Sequence, residues 1–365
     1  MEKKNQNKYE ITEQSLGRGA FGEVFVAYEK NNKNKKYAAK QINFDKIQYN
    51  NQNPKVLKET LNNEVSILLD YTNENLVHCY DIISGNNELF IITEYCNGKD
   101  LNEIMKLWRK KTNNSFLPEN IIQKILKDIL NGLSCLHRAP TVVIHHDIKL
   151  QNILVNFDNE KDLENLNLIK GTYKITDFGL SKYHPDEDAE IGVGGTSTYW
   201  SPEIKNLILD KYRDGKNVKN EINILENPGV DIWAVGVLTY RLLNFDSLFL
   251  LNNQDYIKYR NNAIKLTEIH YENMKKGKIE FDLKNGISKE IICFLDAALK
   301  FDTNIRASAE ELEYYRFITR PEKDFHYINE NNYKQILSEE YYKDGKVIID
   351  INKIRKLNES KYFDE

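Results

Sequence analysis

The stretch that decides the fold is IHHDIKLQNILV, residues 144–155, which is followed by ITDFG at residues 175–179. Both segments set charged or amide side chains at fixed spacing between apolar residues. These side chains are an acid, a lysine, an amide and a second acid, namely Asp147, Lys149, Asn152 and Asp177. Together the two segments carry the strongest signal of a chemical site in the sequence.

The two segments resemble the catalytic loop and the metal-binding motif of the protein kinase family, serine/threonine type. The resemblance implies transfer of the γ-phosphoryl group of ATP, with Asp147 accepting or orienting the substrate hydroxyl proton and Lys149 steadying the moving phosphoryl group. It also implies that Asn152 and Asp177 hold Mg²⁺ through oxygen ligands. Phosphoryl transfer needs positioning and charge neutralisation more than covalent chemistry, so a few charges at fixed spacing suffice.

A glycine-rich segment, LGRGAFGEV at residues 16–24, contains the pattern GxGxxG, which is also found in dinucleotide-binding folds. A dinucleotide site needs a helix directly after the glycines, whereas residues 23–28 alternate as a strand, so the glycines are predicted to lie in a hairpin turn. There they would let backbone N–H groups approach the phosphates of ATP, although an ordinary glycine hairpin is the alternative. The predicted ATP contacts here are Leu16, Gly17, Arg18, Gly19, Ala20, Phe21, Gly22 and Val24.

Lys40 lies in the alternating segment YAAKQI, residues 37–42, where its side chain is predicted to turn inward among small apolar neighbours. A buried lysine needs an anion. The candidates are Glu64, on the helix predicted to follow, and the phosphates of ATP. Taken singly, each of these two residues is more often a surface charge. In combination with Asp147 and Lys149 we interpret them as catalytic.

The segment LFIITEYCNGKD, residues 89–100, resembles the hinge that binds adenine through backbone groups in the family. The resemblance assigns Glu94 to Cys96 to the hinge and Thr93 to the small residue that leaves a rear pocket open. Asp100 matches an acidic position that contacts ribose or a basic substrate residue, and a helix N-cap is the alternative. The remaining predicted nucleotide contacts are Ala38, Lys40, Leu154 and Asp177.

Further downstream, GTSTYWSPE at residues 195–203 resembles the end of a kinase activation segment, and DIWAVG at residues 231–236 resembles the buried helix beneath the catalytic loop. Arg306 matches the arginine that pairs with the glutamate at position 203, as a structural ion pair. Lys149 and Thr196 imply serine/threonine rather than tyrosine specificity.

Two positions depart from the family pattern. His146 replaces the arginine that precedes the catalytic aspartate, giving a non-RD catalytic loop, and Gly192 stands where relatives carry the activating phosphate. Both halves of the common switch are missing. Our hypothesis is that activity does not require activation-loop phosphorylation.

Composition excludes several classes of partner. The 365 residues carry a net charge of −4 without a lysine-rich or arginine-rich block, which argues against nucleic acid or an anionic membrane as the main partner. No apolar run approaches the roughly 20 residues of a membrane span, so we expect a soluble, cytoplasmic protein. The four cysteines form no CxxC pair, which disfavours a zinc site or disulfides.

The predicted fold class is α+β, a bilobal kinase-like fold. An antiparallel-sheet lobe with one main helix, Pro54 to Leu69, is expected over residues 9–95, and a mainly helical lobe over 96–318. Residues 1–8 form an extension. The tail, 319–365, contains a predicted strand at Val347 to Ile351 and is expected to pack on the helical lobe or to regulate the site. The polar stretches Asn31 to Lys36, Asn156 to Asn167 and Asp210 to Asn227 are interpreted as solvated loops.

The predicted function is an ATP- and Mg²⁺-dependent kinase that acts on serine and threonine of protein substrates, with its regulatory partner unknown. A pseudokinase, which signals by conformation, is the first alternative, and retention of all the catalytic groups disfavours it. A small-molecule kinase is the second. The activation-segment motif favours protein substrates over small molecules.

Overall fold

The structure is a computed structural model that describes residues 8–19, 22–43, 64–85, 87–138, 142–178, 197–216, 224, 226–244, 248–249, 253–282, 286–328, 342–343 and 346–350. Within these residues the chain forms an antiparallel sheet followed by a predominantly helical lobe. The predicted α+β fold class and its two-lobe arrangement are confirmed.

The first lobe is built on a sheet with five described strands in the order β1-β2-β3-β5-β4, all antiparallel. Side chains alternate across it, as strand geometry requires. One face buries a small cluster around Tyr37 and Ala39, and the opposite face packs Ile42 and Ile91 with Ile67 of the following helix. The strands are β1 (Tyr9–Gly19), β2 (Gly22–Glu29), β3 (Asn32–Asn43), β4 (Cys79–Ser84) and β5 (Glu88–Glu94).

The predicted helix of the first lobe is observed over residues 64–70, here α1. The prediction from Pro54 to residue 63 falls outside the described residues. Helix α1 lies against the sheet through Ile67 and Leu68, so that Glu64 in its described first turn faces β3. This packing sets the distance between helix and sheet at the site.

The second lobe surrounds two helices that are buried along most of their length. One has a wide apolar stripe, and the other is apolar around nearly its whole circumference, which is the pattern of a core helix. They are α3 (Glu119–His137) and α6 (Gly229–Asn244). The helices around them are α2 (Leu101–Thr112), α4 (Glu160–Glu164), α5 (Pro202–Tyr212), α7 (Asn253–Tyr259), α8 (Ala263–Lys276), α9 (Lys289–Ala298), α10 (Ala309–Glu313) and α11 (Arg316–Thr319). In the described part of the chain no helix is both long and apolar enough to cross a membrane.

A short hairpin between α3 and α5 positions the two signature segments. Its strands, β6 (Ile153–Asn156) and β7 (Thr172–Ile175), pair antiparallel with Ile153 opposite Ile175. The residues just before β6 and just after β7 therefore lie side by side, and the N–H of Thr176 donates to the carbonyl of Asn152 at 3.0 Å. A local register thus brings two segments together that are separated in sequence.

The tail packs on the helical lobe by adding strands to it. Strand β12 (Lys346–Asp350) pairs antiparallel with β8 (Lys278–Asp282) and buries Val347 and Ile349 in the main core. Near the start of the tail, β10 (Tyr327–Ile328) pairs antiparallel with β9 (Ile287–Ser288). A short strand, β11 (Tyr342–Lys343), borders β12. Of the predicted strand Val347 to Ile351, the part up to Asp350 is confirmed, and residue 351 lies outside the described residues.

Each of the three predicted solvated loops is wrong in part. Residues 32–36 of the first loop belong to β3, because the backbone ladder with β2 extends through them while their side chains stay exposed. The second loop contains α4, whose N-cap Asn159 accepts a hydrogen bond from the N–H of Lys161. The third begins inside α5, which ends at Tyr212, and much of the remainder lies outside the described residues. Polar composition alone does not exclude secondary structure whose hydrogen bonds are satisfied.

Candidate active site

Asp147 lies in the loop that precedes β6 and is almost entirely buried. Its Oδ2 accepts hydrogen bonds from Nζ of Lys149 at 2.5 Å and from Nδ2 of Asn152 at 2.9 Å. Nδ2 of Asn152 also donates to the Asp147 carbonyl at 2.8 Å. The three residues that the sequence predicted together therefore converge on a single carboxylate.

Asp231, in the first turn of α6, holds the backbone of this loop. Its two oxygens accept the N–H groups of His145 at 2.8 Å and His146 at 2.9 Å, and the ring of His137 lies 2.9 Å from Oδ2. Burial raises the pKa of this carboxyl, but the hydrogen bond and charge of His137 outweigh it, so the pKa lies below its ordinary value. The residue is positioned to fix the loop as an anion.

His146 has a φ of 63°, in the left-handed region that costs a residue with a Cβ about 1 kcal/mol or more. The Asp231 hydrogen bond is made by the N–H of this same residue. A strained backbone persists where its surroundings impose it. The strained conformation lies directly before Asp147 and sets the direction in which the chain enters the site.

His145 links the two signature segments. Its Nδ1 accepts the N–H of Asp147 at 3.2 Å, so its Nε2 carries the hydrogen that is donated to the carbonyl of Thr176 at 3.1 Å. The ring also makes an edge contact with Phe178, with the centroids 5.2 Å apart. The residue was not among the predicted site residues, although it lies within the quoted segment.

Lys40 of β3 joins the two lobes at the site. Its Nζ lies 2.5 Å from Oε1 of Glu64 on α1 and 3.2 Å from Oδ1 of Asp177. Burial lowers the pKa of Lys40. The negative charges and hydrogen bonds of Glu64 and Asp177 raise it by a larger amount, so the pKa of Lys40 lies above its ordinary value. For Asp177 the signs are opposite: burial raises the pKa of its carboxyl, but Lys40 lowers it by a larger amount, so the pKa lies below its ordinary value. The ammonium of Lys40 and the carboxylate of Asp177 are therefore charged at neutral pH.

The oxygen donors of Asn152 and Asp177 fit a hard divalent cation. Because Nδ2 of Asn152 is directed at Asp147, its Oδ1 is the end that can bind a metal. Asp177 keeps 41% of its side chain exposed and uses one oxygen for Lys40, which leaves the carboxylate accessible. Mg²⁺ commonly uses one or two such ligands together with phosphates and waters. Consistently, no cluster of three or more His, Cys, Asp or Glu side chains that could cage a metal occurs among the described residues.

The glycine-rich segment forms the predicted hairpin, with Gly19 opposite Gly22. Ala20 and Phe21 lie outside the described residues. A Cβ at Gly17 would meet no atom within 4 Å, so this position is open toward a ligand. A Cβ at Gly22 would lie 2.0 Å from the carbonyl oxygen of Gln41 on β3. The requirement for glycine at position 22 therefore arises from sheet packing, which the sequence did not indicate.

The predicted adenine contacts lie on the strands that border the cleft. Val24 pairs with Lys40 across β2 and β3, and Ala38 pairs with Thr93 across β3 and β5, so these four residues lie on adjoining strands. Leu154 on β6 forms an isolated bridge with Asp100. Val24, Ala38, Thr93 and Leu154 are each partly exposed, as residues that line an open cleft are.

Two residues of the glycine-rich segment carry exposed side chains. Leu16 is 43% exposed at the end of the sheet. The Arg18 side chain is 74% exposed, with its guanidinium 3.9 Å from Glu23.

The Glu94 side chain contacts other residues of the protein. Oε1 accepts the N–H of His78 at 2.9 Å and lies 3.0 Å from Nζ of Lys174 on β7. The N–H of Glu94 also donates to the carbonyl of His78 at 2.9 Å, which leaves the Glu94 carbonyl as the backbone group for the hinge contact that the resemblance implies. Burial, together with the Glu94 charge, raises the pKa of the neighbouring Cys96 thiol to about 12. Sequence reasoning missed Lys174, for which only its alternating position in β7 was a signal.

Asp100 is the N-cap of α2. Its side chain accepts the N–H of Glu103 at 2.9 Å, which is the alternative that sequence analysis left open. Burial raises the pKa of this carboxyl despite that hydrogen bond. The hydrogen-bond contacts of this carboxylate are therefore with the first turn of α2.

The predicted structural ion pair is confirmed. Arg306 makes a two-fold contact with Glu203, at 2.7 and 2.9 Å, and also donates to the carbonyls of Gly229 and Lys300. This contact anchors the start of α5 to the helical lobe. Residues 179–196, which include Gly192 and Thr196, lie outside the described residues.

Comparison with known proteins places these features in context. A family model described as protein kinase domain matches residues 10–318. The chain is similar to serine/threonine-protein kinase CLA4 of Candida albicans, with 30% identity over 309 residues covering 84% of this chain and 26% of that protein. It is also similar to serine/threonine-protein kinase cds1 of Schizosaccharomyces pombe, with 31% identity over 317 residues, 85% of this chain and 58% of that protein. Each alignment covers less than two thirds of the relative.

Proposed function

The chain belongs to the protein kinase family, and from this membership we propose that it transfers the γ-phosphoryl group of ATP to serine and threonine hydroxyls of protein substrates. The kinase domain is proposed to span residues 9–318, with lobes at about 9–95 and 96–318, a short extension before it and the tail after it. One observation carries the proposal. Lys149 and Asn152 converge on Oδ2 of the buried Asp147, while Lys40 contacts both Glu64 and Asp177.

Asp147 is the proposed catalytic base. Among the described residues its Oδ2 accepts the hydrogen bonds from Lys149 and Asn152, which leaves Oδ1 for the substrate hydroxyl. The hydroxyl oxygen bonds to the γ-phosphorus as the bond from that phosphorus to the β,γ-bridging oxygen breaks. ADP leaves with the electron pair, and the hydroxyl proton passes to Asp147.

The two lysines are proposed to act on the phosphates. Lys149 stabilises negative charge on the transferred group, because its ammonium lies beside the base. Lys40 orients the phosphates of ATP, and Glu64 and Asp177 limit its freedom. When bound by Asn152 and Asp177, Mg²⁺ would neutralise phosphate oxygens. Gly17, Gly19 and Gly22 offer backbone N–H groups at the hairpin, and the strands beneath them receive adenine.

Serine/threonine specificity is proposed from Lys149 and from the names of the relatives, each of which is a serine/threonine-protein kinase. A peptide array exposed to radiolabelled ATP, followed by phosphoamino acid analysis, tests this. Phosphoserine and phosphothreonine are expected, and label confined to phosphotyrosine would refute the proposed specificity.

Independence from activation-loop phosphorylation is proposed from His146 and Gly192. An imidazole holds less positive charge at pH 7 than the guanidinium that normally clamps a phosphate, and glycine offers no hydroxyl. Protein produced without co-expressed kinases and treated with phosphatase is expected to keep its activity. A loss of about ten-fold or more, equal to about 1.4 kcal/mol of barrier, would refute the proposal.

We also propose a cytoplasmic location. None of the four cysteines, all of which lie in described parts of the chain, forms a disulfide. Reduced cysteines are typical of the cytosol.

A further inference from the structure

Lys205 is a cation buried inside the helical lobe. It lies on α5, is 1% exposed, and is surrounded by an apolar cluster that includes Ile204, Leu207 and Val230. Lysine is almost never buried so completely unless it is paired with an acid. Within the described residues its ammonium contacts no carboxylate.

The contacts of Lys205 are with the segment that leads into α5. Its Nζ donates to the carbonyl of Ser197 at 2.7 Å and lies 5.6 Å from the centroid of the Trp200 ring. Burial lowers the pKa of Lys205 to about 7. Burial and then the charge of Lys205 lower the pKa of His270 on α8 to about 3, so this neighbour adds no second cation.

The burial of this lysine opposes folding. Replacing a buried ionic group by an apolar side chain of similar volume is often neutral or stabilising. The surrounding side chains would accept such a replacement, because they are apolar. A contribution to stability therefore does not explain why a lysine is buried at position 205. The segment that its ammonium contacts offers another explanation.

That segment, residues 197–200, lies beside the proposed catalytic base. Tyr199 lies in sequence between Ser197 and Trp200, the two residues that Lys205 contacts. Its hydroxyl accepts a hydrogen bond from the N–H of Leu150 at 3.4 Å and another from Arg241 at 3.0 Å. Leu150 directly follows Lys149, whose ammonium contacts Asp147. Residues 197–200 therefore border the loop that carries Asp147, where a protein substrate has to place its hydroxyl.

We propose that Lys205 is a positioning residue for the protein substrate: by holding the Ser197 carbonyl and the Trp200 ring, it fixes the surface along which the substrate chain approaches Asp147. The inference rests on the proposed function and deepens it. Lys205 does not touch the reacting atoms. The nucleotide side of the site, around Lys40 and Glu64, is held by separate contacts.

The test compares Lys205→Met with Lys211→Met, a control on the same helix whose ammonium lies over the exposed Tyr212 ring. For Lys205→Met, the KM for a protein or peptide substrate is expected to rise about ten-fold, while the KM for ATP stays within about two-fold. Its melting temperature is expected to equal or exceed that of the unaltered protein. The control is expected to change none of the three values.

The proposal and the proposed function fail in different ways. No phosphorylation by the unaltered protein would refute the function itself. Turnover in the unaltered protein with an unchanged substrate KM in Lys205→Met would overturn the role of Lys205. Equal rises in the two KM values, or a Lys205→Met protein that melts earlier or does not fold, would also overturn it, because each points to a structural role.

Discussion

The carboxylate of Asp231 accepts the N–H of His146 at 2.9 Å, and this is the residue whose φ of 63° places the chain in a strained conformation before Asp147. The same carboxylate accepts the N–H of His145 through its other oxygen. A buried anion at the start of a core helix thus fixes the loop that carries the proposed base. The geometry of Asp147 therefore depends on contacts made by the backbone N–H groups of the two residues that precede it.

Asp231→Asn is expected to lower kcat about 100-fold, because an amide cannot accept both N–H groups and a displacement of about 1 Å at the base costs that much. The KM for ATP should change far less, since Lys40 and Glu64 are held independently. Steady-state kinetics measure both values. Asp296→Asn is the control, a similarly buried helical aspartate whose partner is Lys300. Equal kcat values in the two variants would contradict the positioning role.

Lys40→Met is expected to reduce kcat/KM by about 100-fold or more and to lower stability by about 3 kcal/mol, because it leaves Glu64 buried without its cation. Kinetics and urea unfolding measure the two effects. Lys36→Met changes an exposed lysine of the same strand and serves as the control. Similar losses in both variants would show that the Lys40 contacts have no special role.

The tail is expected to be part of the folded unit. Val347→Asp places an unpaired charge in the core and should cost about 3 kcal/mol of unfolding free energy. Lys346→Ala, at the exposed neighbouring position of β12, should cost less than about 0.5 kcal/mol. Thermal and urea unfolding report the difference. Equal stability of the two variants would mean that β12 does not contribute to the fold in solution.

Glu119 provides a pH test of the packing beneath the tail. Burial raises the pKa of this carboxyl to about 7, although Ser288 donates to it through both N–H and Oγ–H. The folded state therefore binds a proton that the unfolded state releases between about pH 4.5 and 7, so stability falls as the pH rises through this window. From pH 5 to pH 8 the loss assigned to Glu119 is about 2 kcal/mol.

Glu119→Gln keeps one acceptor oxygen for Ser288 and nearly the same shape, but it does not titrate. Urea unfolding at several pH values should show a smaller loss of stability with rising pH in this variant than in the unaltered protein. Glu280→Gln, at an exposed position of β8, should leave the pH dependence unchanged. A Glu119→Gln curve parallel to that of the unaltered protein would contradict the assignment.

Much of the site was predictable because its chemistry is encoded locally. Asp147, Lys149 and Asn152 stand within six residues of a segment that resembles a kinase catalytic loop. That resemblance implied a shared role, and the structure joins the three residues at one oxygen. The contact of Lys40 with Glu64 was predicted on physical grounds, because a lysine that alternation turns inward requires an anion.

The remainder depended on packing between distant segments. Lys205 resembles any helical lysine in the sequence, and only the apolar cluster around α5 shows that it is buried. Gly22 is needed because the Gln41 carbonyl of another strand occupies the space of a Cβ. The pairing of β12 with β8 is equally invisible in a local pattern, since each strand predicts only its own alternation.

The central claim is that Asp147 acts on the substrate hydroxyl while other groups bind the nucleotide. The most direct measurement determines, on one preparation each of the unaltered protein and Asp147→Asn, the Mg²⁺-dependent binding of ATP by calorimetry and the phosphorylation of a protein substrate. We expect metal-dependent binding in both proteins, with affinities within about three-fold, and turnover lower by about 1,000-fold or more in Asp147→Asn. Equal turnover in the two proteins, or no metal-dependent binding of ATP by the unaltered protein, would contradict the account.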